Sequence, residues 1–246
     1  MLAVLMYHDV TPGGGKYAND PAMLQAHLEY LREHHPVILP GDALVPGKLN
    51  VCLTFDDAHV SFYHAVYPLL TQLGLKAVIG VSTDFVLERT DVPLARRLET
   101  SSQAGHAGTT GLNRACFCTW EELREMHGSG MVHVACHSAS HQDLTGPGAD
   151  LDREIRGAGQ CIAEHLGRFP VTFVFPLGRV NRRVNRIAAE RYPYRMRIGA
   201  ALNKGWTNRD GILCRLQCDN LQTPQGPLAA LWRPRLKYFL NVLRSG

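Results

Sequence analysis

Two short strings of residues in this chain carry side chains that could hold a metal ion and activate water. Asp56 and Asp57 stand side by side after an apolar run at 51–55. His137 and His141 stand four residues apart after a second apolar run. Two imidazoles and one carboxylate are a common ligand set for a catalytic divalent ion, and they leave positions open for water and substrate. The remaining carboxylate can act as a general base on that water.

Each string taken alone has an ordinary explanation. An Asp pair in a loop often caps a helix, and two His residues four apart can share one surface of a helix. These explanations are weakened because each string directly follows a strand-like apolar run, and because the four side chains have complementary roles. We therefore predict a catalytic metal site, and the pattern itself leaves open which carboxylate binds the ion.

The elements that must position this site alternate along the chain. Short apolar runs alternate with helical patterns, which predicts parallel βαβ units in an α/β fold. Closure of seven strands into a barrel would gather the Asp and His pairs at the carboxyl ends of the strands. The predicted strands are 2–7, 51–55, 77–82, 132–136, 171–175, 198–202 and 212–216. The predicted helices are 23–34, 61–73, 120–127, 151–166, 180–191 and 228–243.

The chain has 246 residues, 45% of them apolar, which suffices for one barrel domain. We predict a single domain over residues 1–246. The segment from about 84 to 118 fits the strand and helix patterns poorly, and its length indicates an insertion or a lid.

Charge is distributed unevenly along the chain. Residues 179–246 hold 14 Lys and Arg against 3 Asp and Glu, a net of +11, so residues 1–178 carry −7 of the total of +4. A solvated basic surface explains this, and so does a surface for an anionic partner such as phospholipid head groups. The segment 228–240 fits either a closing helix of the barrel or a helix that docks peripherally on an anionic membrane. We expect no nucleic-acid partner.

Seven cysteines are an odd number, and several lie in apolar runs, where a free thiol packs as a small apolar group. Cys116 and Cys118 lack a second matching pair, so they give little support for a structural zinc site. Free thiols suit a reducing compartment. The first residues form no secretory signal and no apolar stretch approaches ~18 residues, so we expect a cytoplasmic protein without a transmembrane helix.

Further strings accompany the Asp and His pairs along nearly the whole chain. The set comprises LMYHDV at 5–10, LTFDD at 53–57, TWEEL at 119–123, HSASH at 137–141 and FVFPLG at 173–178. Together they resemble the motifs of the NodB-type polysaccharide deacetylases, carbohydrate esterase family 4. Within that family the chain looks most like the branch that de-N-acetylates poly-N-acetylglucosamine.

This resemblance implies a distorted (β/α) barrel, the NodB homology domain, and metal-dependent hydrolysis of an N-acetyl group. By motif position it implies that Asp57, His137 and His141 bind the metal and that Asp56 is the general base. Zinc is the first expectation, and a site of two nitrogens and one oxygen also accepts cobalt, nickel or iron.

The chain departs from the family pattern at three places. Ala58 stands where Gly is usual, and if that position needs a positive φ, Ala costs about 1 kcal/mol. An Arg that many members carry before the Pro of the last motif is replaced by apolar residues, and Arg215 is expected to supply this cation to Asp56. The late-strand His that usually protonates the leaving amine is missing, and His8 at the end of the first strand is expected to replace it.

We expect substrate contacts from three further places. His59 closely follows the Asp pair. The turn at Pro176, Leu177 and Gly178 directly follows a predicted strand, and a backbone N–H there could stabilise an oxyanion. Trp206 could stack on a sugar ring at the mouth of the barrel.

The sequence thus predicts a metal-dependent deacetylase that releases acetate from an amino sugar, during assembly of a surface polysaccharide or glycolipid. The cytoplasmic expectation favours a lipid- or nucleotide-linked N-acetylated saccharide as the substrate. Two other functions stay open. One is a deformylase of a lipid-linked amino sugar, and the other is a sugar-binding homologue that has lost turnover with the usual acid.

Overall fold

The computed structural model describes residues 1–103, 114–207 and 210–244. Seven parallel strands form a closed barrel. They are β1 (Leu2–Tyr7), β4 (Asn50–Phe55), β5 (Ala77–Val81), β6 (Val132–Cys136), β7 (Thr172–Val174), β8 (Tyr194–Ile198) and β9 (Ile212–Gln217), while β2 (Asp9–Val10) and β3 (Ala18–Asn19) pair outside the barrel. The ring closes where β9 pairs with β1, with Val4 opposite Arg215. The predicted barrel of seven parallel strands is confirmed.

Helices and helical turns occur in most of the connections between the barrel strands. The α-helices are α1 (Pro21–His34), α2 (Tyr67–Leu73), α3 (Leu94–Gln103), α4 (Trp120–Gly128), α5 (Ala158–Leu166), α6 (Arg182–Ala189) and α7 (Trp232–Arg244). Two π-helical turns, Phe62–Val66 and Asp152–Gly157, lead into α2 and α5. No helix among the described residues is long and apolar enough to cross a bilayer.

Helix α3 was not predicted, and it lies in the segment 84–118 that was expected to be an insertion or a lid. The middle of this segment, 104–113, lies outside the described residues. The expectation of one domain with an insertion here stays a prediction.

The predicted strand at 198–202 is wrong, because the strand before β9 is β8, Tyr194–Ile198. Two Arg residues in β8 obscure its pattern. Arg195 is nevertheless 8% exposed, since its guanidinium donates to the carbonyl of Tyr192 at 2.7 Å and its Nε donates to Asn185 at 2.9 Å. Burial of this cation depends on acceptors from the tertiary structure, which a local hydrophobic pattern does not contain.

Alternate residues of the strands face the inside of the barrel. The apolar cluster inside includes Leu2, Val4, Cys52, Val78, Val174, Met196 and Leu213. Side chains on one face of a strand recur every second residue. Towards the carboxyl ends of the strands, the same inward face therefore carries His8, Asp56 and Arg215. The strand period therefore brings these three polar side chains to one end of the barrel interior.

We predict that Gly159→Ala destabilises the protein by about 1–3 kcal/mol through overpacking. An added Cβ would overlap the Tyr192 hydroxyl and stand 2.5 Å from Cζ of Phe169. The hydroxyl is held in place because it donates to the Ile155 carbonyl at 2.6 Å. Urea unfolding measures the change.

Gly157→Ala is the matched control. A Cβ at this position would meet its nearest neighbour at 3.6 Å, an ordinary contact. Replacing a helical Gly by Ala is expected to stabilise the protein by up to about 1 kcal/mol. Equal unfolding midpoints for the two variants would contradict the close packing at Gly159.

Candidate metal centre

Three side chains converge at the carboxyl end of the barrel, one from the end of β4 and two from the loop after β6, on either side of β5. Oδ1 of Asp57 lies 3.6 Å from Nε2 of His137 and 3.5 Å from Nε2 of His141. One ligand atom from each residue lies within 4.8 Å of the others. Two atoms that each bind an ion at about 2.1 Å, with a near-tetrahedral angle between them, are about 3.4 Å apart. The donor set therefore fits a divalent metal ion.

A sharp backbone turn separates the two Asp residues. Asp57 has a φ of 69° and Ala58 a φ of 53°, in the left-handed region that non-Gly residues seldom adopt. Along a regular strand, adjacent side chains would point to opposite faces. The turn instead lets Asp56 remain inside the barrel while Asp57 reaches the imidazoles. The position of Ala58 thus keeps a positive φ although it carries a Cβ.

Neighbouring groups orient the ring of His137 and hold the backbone of His141. Nδ1 of His137 lies 2.8 Å from the carbonyl oxygen of Val174. A carbonyl only accepts, so Nδ1 carries a hydrogen, and Nε2, which faces Asp57, is the nitrogen placed to bind a metal. The backbone amide of His141 donates to the Ser138 hydroxyl at 3.0 Å, and both residues have a positive φ.

Sequence reasoning missed Glu154, a fully buried carboxylate that organises the loop between the two His residues. It accepts the backbone amides of Ala139 and Ser140, each at 3.0 Å, and the side-chain amide of Gln142 at 2.9 Å. Burial alone would raise the pKa of Glu154, but the bonds from Ser140 and Gln142 and the charge of Arg153 lower it. In the helical pattern, Glu154 is indistinguishable from an exposed residue.

Asp56 is buried and paired with Arg215. The Arg215 guanidinium donates to Oδ1 at 2.6 Å and to Oδ2 at 2.7 Å. Burial alone would raise the pKa of Asp56, but the charges of Arg215, His137 and His8 lower it. The structure thus brings Arg215 to Asp56, and the carboxylate is ionised at neutral pH.

His8 lies beside Asp56 and is held by Asp219, a second residue that sequence reasoning missed. Nδ1 of His8 donates to Oδ2 of Asp219 at 2.8 Å, and Nε2 lies 3.9 Å from Oδ2 of Asp56. Burial alone would lower the pKa of His8, but the bond to Asp219 and the charges of Asp56, Asp219 and Asp57 raise it to about 9. The residues stand 211 positions apart in the chain, so local sequence carries no signal of the pair.

A cavity of about 380 Å³ opens over these groups. Leu177 and Gly178 line it together with His8, Asp56, His137, His141 and Arg215. Leu177 is 51% exposed and has a φ of 57°. Gly178 has a φ of 63°, and a Cβ there would come within 2.8 Å of Ile198, so the turn requires Gly. Pro176, expected to contact the substrate, is buried and does not line the cavity.

The structure does not bring two of the expected substrate contacts to this cavity. His59 is 5% exposed, does not line the cavity, and lies 3.0 Å from the Ser101 hydroxyl on the far side of Asp57. Trp206 lies at the opposite end of the barrel, where its Nε1 donates to the Asp42 carbonyl at 2.7 Å and its ring meets Tyr194. The connection from β8 to β9 must return to the amino ends of parallel strands, and it carries Trp206 there.

Comparison with known proteins identifies the family. Residues 45–196 match the family model for polysaccharide deacetylases. This match covers more than half of the chain, which therefore belongs to the polysaccharide deacetylase family. The family consists of hydrolases that deacetylate carbohydrates.

Individual proteins that resemble this chain are also described as deacetylases. The protein YxkH of Bacillus subtilis (strain 168) is 23% identical over 218 residues, covering 85% of this chain and 67% of the relative. The poly-β-1,6-N-acetyl-D-glucosamine N-deacetylase of Escherichia coli (strain K12) is 30% identical over 111 residues, covering 45% of this chain and 14% of the relative. The crystal structure of BC0361, a polysaccharide deacetylase from Bacillus cereus, has the same fold, with a TM-score of 0.75 at 18% identity over 94% of this chain and 68% of that chain.

We predict that Glu154→Gln weakens metal binding by about 10-fold or more, the usual effect of changing a residue that orients metal ligands. Both carboxylate oxygens of Glu154 accept from donors, and Gln has only one acceptor oxygen, so in either orientation its NH2 group would face donors and the loop carrying His141 would lose its fixed shape. Calorimetric titration of the metal-free protein with Zn²⁺ measures the change. Glu164→Gln, on the exposed side of α5, is the control. Equal affinity in the two variants would contradict the role of Glu154.

Proposed function

We propose that this protein is a metal-dependent hydrolase that removes the N-acetyl group from an amino sugar in a saccharide. One observation carries the proposal: a group of three side chains that could hold a metal reaches a cavity through its two His residues, and the same cavity is lined by an Arg-paired carboxylate and an Asp-paired His. Zinc is the metal we propose first, and cobalt, nickel or iron would suit the same two nitrogens and one oxygen. The name of the E. coli relative supports a poly-N-acetylglucosamine type of substrate.

Asp56 is suited to be the general base. A divalent ion held by Asp57, His137 and His141 would lower the pKa of a water and polarise the acetamide carbonyl. Asp56 is ionised, and its Oδ2 lies 3.9 Å from Nε2 of His137, at the edge of the ligand set. It can therefore accept a proton from the attacking water.

His8 is suited to be the general acid. Its Nδ1–H is committed to Asp219, and its Nε2 faces the cavity beside Asp56. With a pKa of about 9 the imidazole carries both protons at neutral pH, so Nε2–H is available for the leaving amine. Asp56 and His8 thus have pKa values that their partners shift in opposite directions, as a base and an acid require.

The turn 176–178 is suited to hold the acetamide. Leu177 presents an apolar side chain to the cavity, where it can cover the acetyl methyl group or a sugar face. A backbone N–H of this turn, or one after Asp57, would add a hydrogen bond to the developing oxyanion.

The cellular setting stays a prediction. A lipid- or nucleotide-linked substrate, a cytoplasmic location and a role in surface polysaccharide or glycolipid biosynthesis follow from the sequence reasoning. Contact with an anionic membrane is supported by α7, on which Trp232 is 63% and Leu236 52% exposed beside basic residues. Trp232 also lies under the guanidinium of Arg233, at 5.2 Å from the ring centre.

We predict that the purified protein contains a divalent metal and releases acetate from N-acetylglucosamine oligosaccharides. Chelation should abolish release, and added Zn²⁺ should restore it. Asp56→Asn should keep the metal and lose about 10²–10⁴-fold in turnover, whereas Asp57→Asn should lose the metal. Asp152→Asn, an exposed carboxylate, is the control.

The products distinguish the alternatives. Release of formate from N-formyl substrates without acetate release would identify a deformylase. Saccharide binding without release of either acid, in protein loaded with metal, would identify a binding homologue. Either result would overturn the proposed deacetylase.

We predict a bell-shaped pH profile. The rate should rise with pH as Asp56 loses its proton and fall above a pH of about 9 as His8 loses its proton. His8→Gln should remove the alkaline limb and lower kcat by about 10²–10⁴-fold. Asp219→Asn should shift this limb to lower pH, because Asp219 raises the pKa of His8. His64→Gln, an exposed His, is the control, and an unchanged profile in the His8 variant would exclude His8 as the acid.

A further inference from the structure

The backbone that follows Asp57 pairs with residues 114–118. The amide of Cys118 donates to the carbonyl of Ala58 at 2.7 Å. The backbone amide two residues after Ala58 donates to the carbonyl of Cys116 at 2.8 Å. We refer to residues 114–118 together with helix α3 as the clamp. Its pairing restrains the left-handed turn from outside the barrel.

Helix α3 is fastened to this pairing segment by Arg97, which is buried. Its guanidinium donates to the carbonyls of Ala115 at 2.7 Å and Phe117 at 2.9 Å. It also forms two bonds with the Glu122 carboxylate, at 2.6 and 2.9 Å. Glu122 in turn accepts the amide of Thr119 at the start of α4. Charge-assisted bonds therefore fix the position of α3 relative to the turn.

Ser101 of helix α3 connects the clamp to the metal ligand through His59. The Ser101 hydroxyl donates to Oδ2 of Asp9 at 3.1 Å and lies 3.0 Å from Nδ1 of His59. A hydroxyl has one hydrogen and a carboxylate only accepts, so Ser101 accepts Nδ1–H from His59. This bond and the stacking of the ring on Phe117 direct Nε2 of His59 to within 3.9 Å of Oδ2 of Asp57.

These contacts act on a backbone conformation that is unfavourable by itself. Asp57 and Ala58 both have a positive φ and neither is Gly, so the turn persists only if its surroundings hold it. The clamp supplies backbone bonds to the turn, and its residues Ser101 and Phe117 hold the His59 ring beside Asp57. Without it, Oδ1 of Asp57 would have more freedom to leave the two imidazoles.

We propose that Ser101 and Arg97 are positioning residues for the metal ligand Asp57, so that docking of helix α3 and binding of the metal are coupled. This inference rests on the metal site of the proposed function. Because coupling is reciprocal, a metal that binds more tightly when α3 is docked must also stabilise the docked helix. The segment expected from sequence to be an insertion or a lid therefore contains a helix that supports the metal site from outside the barrel.

The test is calorimetric titration of the metal-free full-length chain with Zn²⁺. Ser101→Ala should weaken binding by about 10-fold, and Ser101→Thr should recover most of the loss because it keeps the hydroxyl. Thr100→Ala is the matched control, since that hydroxyl donates within α3 itself, to the Arg96 carbonyl at 2.8 Å. In a His59→Ala background, Ser101→Ala should cause no further loss, because Ser101 acts through His59.

Hydrogen exchange supplies a readout that does not depend on affinity. Zn²⁺ should slow exchange of the α3 amides in the wild type and have a smaller effect in the Ser101 variant. If the Ala variant does not fold, Arg97→Lys, which keeps the charge but not the paired bonds, replaces it in both measurements.

The possible failures are distinguishable. Absence of Zn²⁺ binding by the wild type would overturn the proposed function together with this inference. Tight binding by the wild type with unchanged affinity in the Ser101 variant would overturn the inference alone. Exchange of α3 that is indifferent to Zn²⁺ would also overturn it, since coupling requires both effects.

Discussion

Two adjacent carboxylates point to different partners at this site, and the backbone turn between them is what makes this possible. The geometry of the whole site depends on that turn. Asp56 continues the inward face of β4 and meets Arg215 inside the barrel. Asp57 reaches the imidazoles only because it and Ala58 adopt left-handed φ values, each of which costs about 1–2 kcal/mol for a residue with a Cβ. Backbone bonds from Cys116 and Cys118 offset this cost from outside the barrel. The motif therefore requires support from a distant segment as well as its own residues.

Charge is ordered around this turn by one strand. Arg215 lies in β9, and Asp219 is the second residue after that strand ends. A single strand end therefore holds both Asp56 and His8. A buried ion is costly by several kcal/mol unless it is paired and hydrogen-bonded, and each of these two groups is so paired. The pairing also sets the chemistry, because Arg215 lowers the pKa of the carboxyl while Asp219 raises that of the imidazole.

The sequence was sufficient for the barrel and for the convergence of the Asp and His pairs, because strand period and strand ends are local properties. It was insufficient for β8, where Arg195 is buried by acceptors from other segments. It gave no sign of Glu154, whose helical position resembles that of an exposed residue. His59 and Trp206 lie away from the cavity for a related reason, since residue type and nearness in sequence do not determine which side of a turn or which end of a barrel a side chain occupies.

The position of His8 follows from ring closure. The resemblance drawn from the motifs led us to expect a His on a late strand, which this chain lacks, and a His on the first strand is remote from that place in sequence. In the closed barrel, however, β1 and β9 are neighbours, with Val4 opposite Arg215 and Met6 opposite Gln217. Two residues beyond Met6 on the same face, His8 comes within 3.9 Å of Asp56 and receives its partner from the chain just after β9. The acid that we propose on the first strand therefore lies as close to this carboxylate as a residue on the last strand would, because a closed barrel has no edge between the two strands.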